Sequence, residues 1–144
     1  MSDGVDWRVV GAPSLADIEG LALEAFARLP ESFRRRCEGV TVQVAEFPDE
    51  ETLRDLGIEN EFDLLGLFRG VGWAQGGDPA LLGTGQMPNM VWLYRRPLLD
   101  YWAEHEETLG HLVTHVLVHE IGHHFGLSDD DMERIEALAE TISG

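Results

Sequence analysis

Three stretches of the chain carry apolar residues at the three- and four-residue spacing that is typical of an α-helix. The first stretch follows Ser14, a good N-cap residue, and is stopped by Pro30. The second, at about 106–125, is apolar on most sides, which predicts a helix buried at the centre of a small domain. The third follows Ser128. Its predicted apolar face consists of Met132, Ile135, Leu138 and Ile142.

Three further stretches have the pattern or the composition of β-strands. Apolar and polar residues alternate at 40–45, and β-branched and aromatic residues are enriched at 89–96. The stretch DLLGLFRG, at 63–70, is also expected to be a strand. Short helices are predicted at 31–37, at 49–57 and around Pro97. Together these elements predict an α+β fold, in which a small mixed or antiparallel sheet of about three strands packs with helices.

A chain of 144 residues is long enough for one hydrophobic core and too short for two, which predicts a single domain. Residues 1–13 have no clear period and are expected to form an N-terminal arm, so the domain is placed at 14–144. The glycine-rich segment at 70–88 is predicted to be a flexible loop that is able to cover a neighbouring cleft.

The charge balance narrows the possible partners. The chain has 27 acidic and 10 basic residues and a formal net charge of -17, which repels phosphate backbones and anionic lipid headgroups. Neither nucleic acid nor a membrane is therefore expected as a partner. All the basic residues are arginine, which excludes Schiff-base chemistry and the lysine of a phosphate-binding loop. The single Cys37, the lack of an export leader and the lack of a long apolar run predict a cytoplasmic protein.

The segment VLVHEIGHHFGLSDDD, at 116–131, places histidines and carboxylates in an otherwise apolar stretch. His119 and His123 are four residues apart, so they lie on one face of a helix and can present two imidazole nitrogens to one ion. Glu120 is rotated by about 100° from His119, which places its carboxylate beside the ion and not on it. This H-E-x-x-H arrangement is typical of zinc sites in which the glutamate takes a proton from activated water.

A catalytic zinc site needs three protein ligands and an open position, so a third ligand must join the two histidines. Gly126 is suited to the left-handed conformation that ends a helix, and Asp129 follows it closely enough to reach the same ion. We therefore predict Asp129 as the third ligand. The next two aspartates and the glutamates of the following helix could also serve: Asp130, Asp131, Glu133, Glu136 and Glu140.

Other histidines of the same region have less specific roles. His111 and His115 continue the four-residue spacing towards the start of the helix. They are expected either to support the ligands or to be hydrogen-bonded histidines without contact to the ion. His124 is rotated away from His123 and is expected to serve the carbonyl groups at the helix end.

These residues predict hydrolysis of a peptide bond, with Glu120 as the general base for metal-activated water and then as proton donor to the leaving amine. Tyr94, Arg95 and Arg96 are candidates for stabilising the oxyanion. An exposed edge of the strand predicted at 89–96 could align an extended peptide. The rival hypotheses are a non-catalytic zinc-binding domain with an interaction or regulatory role, and hydrolysis of a non-peptide amide.

From about Ser14 to Ala139 the chain resembles the small bacterial zincin-like metallopeptidases, also called minimal zincins. The resembling segments are LPESF, DLLGLFRG, VWLYRRPL and VTHVLVHEIGHHFGLSDDDMERI, the last being the most specific. The resemblance implies a compact zincin-like core, a Zn²⁺ cofactor and a peptide or protein substrate. The motif H-E-x-x-H-x-x-G-x-x-D implies the ligands His119, His123 and Asp129 and the base Glu120. True metzincins have a third histidine where this chain has Asp129, so their specificity does not carry over.

Overall fold

A computed structural model describes residues 5–70 and 89–143 of the chain. These residues contain six α-helices and three β-strands. The helices are α1 (Leu15–Arg28), α2 (Glu31–Arg36), α3 (Glu50–Leu56), α4 (Arg95–Ala103), α5 (Leu109–His124) and α6 (Asp129–Ser143). The strands are β1 (Thr41–Ala45), β2 (Gly66–Arg69) and β3 (Met90–Tyr94). The predicted glycine-rich loop lies outside the described residues except for Gly70, and residues 5–13 contain no helix or strand.

The three strands form one mixed sheet in the order β1-β3-β2. β1 runs parallel to β3, with Val42 opposite Val91, and β2 runs antiparallel to β3, with Phe68 opposite Val91. The predicted α+β class is thus confirmed, and the sheet is mixed. The expectation that the strand at 89–96 offers an exposed edge is wrong, because β3 lies between the other two strands. Among the described strands, β1 and β2 form the edges.

Helix α5 lies at the centre of the domain, as its apolar pattern predicts. Leu117, Val118 and Ile121 are fully buried and pack in one cluster with Val91 of β3 and Met132 of α6. A neighbouring cluster joins α5 to α1 and β3. Because buried neighbours surround α5 on most sides, the four histidines spaced by four residues along it lie on the remaining face. No helix in the described ranges is both long and apolar enough to cross a membrane.

The ends of the helices follow local capping chemistry. α1 begins where the sequence predicts, because Ser14 and Asp17 form a reciprocal capping box. α5 begins at Leu109, later than predicted, because the hydroxyl of Thr108 accepts a hydrogen bond from the N–H of His111 (3.1 Å).

The turn after α5 has the form that Gly126 predicts. Gly126 has a φ of 74°, and its N–H donates to the carbonyl of His123 (3.1 Å). The N–H of Leu127 donates to the carbonyl of Gly122 (2.9 Å). This pair of bonds is the Schellman arrangement, which closes a helix end and reverses the chain. The reversal brings the start of α6 back to the last turn of α5.

The apolar face predicted for α6 is partly wrong. Met132 is buried and Ile135 is partly buried, as predicted, but Leu138 is 49% exposed. Ala139 and Glu136, which were not placed on that face, are buried, with Glu136 only 7% exposed. The side chain of Ile142 lies outside the described part of the chain. Helix α6 is therefore rotated so that a carboxylate faces α5. The burial of this carboxylate is tolerated because histidine side chains of α5 form hydrogen bonds with it.

Gly122 allows α5 and α6 to approach closely. A Cβ atom at this position would lie 2.8 Å from Cγ of Met132 and nearer still to its Sδ, whereas a Cβ at Gly20 of α1 would meet nothing within 4 Å. We expect Gly122→Ala to lower the free energy of unfolding by about 1–3 kcal/mol, because overpacking outweighs the gain in helix propensity. Urea unfolding of the variant measures this change.

Gly20→Ala is the matched control, since it makes the same substitution in a helix where space is free. It should raise the free energy of unfolding by about 0.5–1 kcal/mol. If Gly122→Ala were stabilised to the same extent as Gly20→Ala, the close contact between α5 and α6 would have no energetic importance.

Candidate metal centre

Four histidines spaced by four residues form a column on α5, which we call the histidine ladder: His111, His115, His119 and His123. The ring centroids of His115 and His119 are 4.0 Å apart, and those of His119 and His123 are 5.7 Å apart. His119 is largely buried, with 21% of its side chain exposed, whereas 47% of His115 is exposed. The ladder thus presents several ring nitrogens on one face of α5, and those of His115 and His119 contact Glu136 in the middle of α6.

The three predicted ligands His119, His123 and Asp129 lie together. One ligand atom from each is within 4.8 Å of the others. Asp129 reaches this position because the turn after α5 reverses the chain and α6 begins at this residue. We call these three residues the first set. Asp130 and Asp131 join no such group of three in the described part of the chain.

Asp131 and Glu133, which the sequence also offers as a third ligand, lie outside the first set. Asp131 takes part in capping α6, since its N–H donates to the hydroxyl of Ser128 (3.1 Å). Glu133 is exposed and joins no group of three ligand atoms within the described ranges. The side chain of Glu140 lies outside the described part of the chain.

Glu136 contacts two histidines of the ladder. Its Oε1 lies 2.9 Å from Nδ1 of His115, and its Oε2 lies 3.0 Å from Nε2 of His119. These three residues, which we call the second set, also offer one ligand atom each within 4.8 Å and can bind a metal. The sequence suggested Glu136 as a partner of His119 and His123, but the structure groups it with His115 and His119.

The grouping of Glu136 with His115 was missed for a physical reason. The four-residue spacing of the ladder indicates that His115 and His119 share a helix face. Which residue of α6 meets that face depends on the rotation of α6 against α5, and the predicted apolar face of α6 gave the wrong rotation. A glutamate on the buried face of a helix is rare unless it has a partner, so the position of Glu136 near apolar residues of α6 was the sequence feature that indicated a partner.

The contacts of Glu136 keep it ionised. Burial alone would raise its pKa, but the hydrogen bond from His115 and the nearby His115 and His119 rings bring the pKa below its ordinary value. The same hydrogen bond raises the pKa of His115, against the opposing effect of burial. The carboxylate therefore accepts two hydrogen bonds, and a ring nitrogen of each histidine donates one.

Glu120 lies beside the first set and next to β2. Burial raises the pKa of its carboxyl, while nearby His123 and a hydrogen bond from the backbone N–H of Phe68 act in the opposite direction. The bond from the N–H of Tyr94 to the carbonyl of Leu65 (3.0 Å) fixes the alternation of the antiparallel ladder, so the N–H of Phe68 points away from β3. A backbone N–H on the outer edge of β2 therefore donates a hydrogen bond to the carboxyl group of Glu120.

The residues predicted to stabilise an oxyanion have structural contacts. Arg95 forms an ion pair with Glu46 (2.9 Å), and the guanidinium of Arg96 lies 5.6 Å from the ring centroid of Phe47. Tyr94 is buried, which raises its pKa to about 12. Its hydroxyl is therefore neutral at physiological pH.

His124 has a contact that the sequence did not indicate. Its ring stacks on that of Phe68, with centroids 4.0 Å apart and an angle of 24° between the planes. This contact joins the last turn of α5 to β2, and His124 belongs to neither set.

A family model described as zincin-like metallopeptidase matches residues 37–138, well over half of the chain. The matched region runs from the end of α2 to within α6 and includes both sets and Glu120. No curated protein matches the chain.

Proposed function

Because the chain belongs to the zincin-like metallopeptidase family, we propose that it is a zinc-dependent peptidase with Glu120 as the general base. The proposed zinc ligands are His119, His123 and Asp129. The observation that carries the proposal is that one ligand atom from each of these three residues lies within 4.8 Å of the others, with Glu120 beside His123.

The donor atoms of the first set suit zinc. Two imidazole nitrogens and one carboxylate oxygen are a ligand combination of catalytic zinc sites, and they leave one position open. Ligand bonds of about 2.0–2.2 Å place tetrahedral donors roughly 3.3 Å apart, so donors within 4.8 Å need to approach one another by at most about 1.5 Å. When bound at such a site, zinc lowers the pKa of water from about 15.7 towards 7 and polarises a carbonyl group.

The environment of Glu120 suits a general base. A base works best when its pKa approaches the pH at which the reaction runs, and burial moves the pKa of Glu120 in that direction. Glu120 accepts the proton of the attacking water and later passes it to the leaving amine. The N–H of Phe68 orients the carboxylate without occupying it completely, because a carboxylate has several acceptor positions.

We propose that β2 aligns the substrate. This strand lies directly on α5, since a Cβ at Gly66 would be 2.6 Å from Cγ1 of Val116. Its outward backbone groups face the side on which Glu120 lies. An extended peptide that adds to this edge would bring its carbonyl groups next to the base. The substrate is therefore proposed to be a peptide or a protein segment in extended form.

Metal removal and restoration test the proposed function. Protein stripped of metal and reloaded with one equivalent of zinc should cleave a mixed peptide library, as measured by mass spectrometry of the products. A chelator should abolish cleavage, and added zinc should restore it. Cleavage that survives chelation would contradict the proposal, and zinc binding without cleavage of any library member would favour a non-catalytic zinc-binding domain.

A further inference from the structure

His115 and Glu136 have no part in the proposed reaction, although Glu136 is among the few buried charged residues in the described part of the chain. Each oxygen of its carboxylate meets a different ring nitrogen, at 2.9 Å and 3.0 Å. The two histidines come from successive turns of α5, and their rings are only 4.0 Å apart between centroids. The second set therefore places two ring nitrogens of α5 and a carboxylate of α6 close together between the two helices.

The two nitrogen–oxygen separations are close to those of a zinc site, and the three residues offer one ligand atom each within 4.8 Å. Bonds of about 2.0–2.2 Å in tetrahedral geometry separate neighbouring donors by roughly 3.3 Å. The observed separations are a few tenths of an ångström shorter, as expected where a hydrogen bond joins two atoms that an ion would otherwise bridge. Replacement of the bridging protons by an ion requires a small outward movement of the side chains.

We propose that His115, His119 and Glu136 form a second zinc site that shares His119 with the first set. A neutral imidazole has one unprotonated nitrogen, so His119 binds one ion at a time. The chain then holds a single zinc ion in one of two alternative positions. The second site is argued from its own residues, whereas its competition with catalysis rests on the proposed function.

The second position separates the ion from the base. The histidines of the first and second sets are offset by four residues of α5, which corresponds to about 6 Å along the helix axis. His123 and the backbone N–H of Phe68 act on the carboxyl group of Glu120, and neither of these residues belongs to the second set. An ion held by the second set is a resting ion, without a general base beside it, and it becomes active when it moves towards His123.

Zinc titration of combined variants tests the second site. The double variant His123→Ala with Asp129→Ala removes two ligands of the first set and leaves the second set complete. We expect it to bind one equivalent of zinc, measured by competition with a chromophoric chelator. Addition of His115→Ala should weaken zinc binding at least 100-fold, whereas addition of His111→Ala, on the same ladder but outside both sets, should leave zinc affinity unchanged. Circular dichroism verifies that all variants are folded.

Several outcomes would overturn the inference. The second site does not exist if the folded double variant binds no zinc while the wild-type protein does, or if His115→Ala and His111→Ala have equal effects. Two equivalents of zinc in the wild-type protein would refute the single-ion alternation. The proposed function fails separately, since it depends on peptide cleavage by the wild-type protein and not on metal binding by the double variant.

Discussion

Glu120→Gln is expected to bind one equivalent of zinc and to cleave peptides about 10²–10⁴-fold more slowly than the wild-type protein. Glutamine has nearly the same shape, so it can keep the contact to β2, but it cannot accept the proton of the attacking water. Glu120 belongs to neither set of ligands, and zinc affinity should therefore change little. Product formation from a cleaved library peptide and zinc content of the same sample measure the two properties together.

Glu133→Gln is the matched control for this variant. It removes the same charge from an exposed position of α6 that joins neither set. Its cleavage rate should equal that of the wild-type protein within about twofold, since exposed charges have little effect at a distance. Equal activity of Glu120→Gln and wild-type protein would point to a contaminating protease and would remove the basis for a catalytic role of Glu120.

Local features of the fold were predictable because they depend on neighbours in sequence. Ser14 caps α1 together with Asp17, three residues later in the sequence. Gly126 ends α5 through hydrogen bonds to carbonyl groups in the last turn of the helix. The histidine spacing likewise determined which side chains share a helix face. The first set was therefore within reach of sequence reasoning, because Asp129 follows His123 by a single short turn.

Features that depend on packing between distant segments were not predictable in the same way. The central position of β3 depends on which strands pair across the chain, and hydrophobic pattern alone does not determine that order. The burial of Glu136 depends on the rotation of α6 about its own axis. The apolar residues of α6 predict a different rotation, because they include Leu138, which is exposed in the structure. Hydrogen bonds to His115 and His119 offset the cost of burying a carboxylate, and such compensation is visible only in three dimensions.

The two sets together determine how the third ligand must be tested. In the wild-type protein, loss of Asp129 leaves the second set complete, so zinc content alone would not report on the first set. A His115→Ala background removes a ligand of the second set and leaves the first set intact. In this background a substitution at position 129 acts on the one set that is still complete.

Asp129→Ala in the His115→Ala background is expected to lower zinc affinity more than 100-fold, since loss of a direct ligand should exceed the about 10–100-fold effect of losing an outer partner. Asp130→Ala in the same background is the control, because it removes an equal charge from the next residue and joins neither set. It should change zinc affinity less than threefold, as screening limits the effect of an exposed charge. Chelator competition measures both affinities. Full zinc affinity in the Asp129→Ala variant would exclude Asp129 as a ligand and would assign the third position to Glu136, whose buried carboxylate contacts His119.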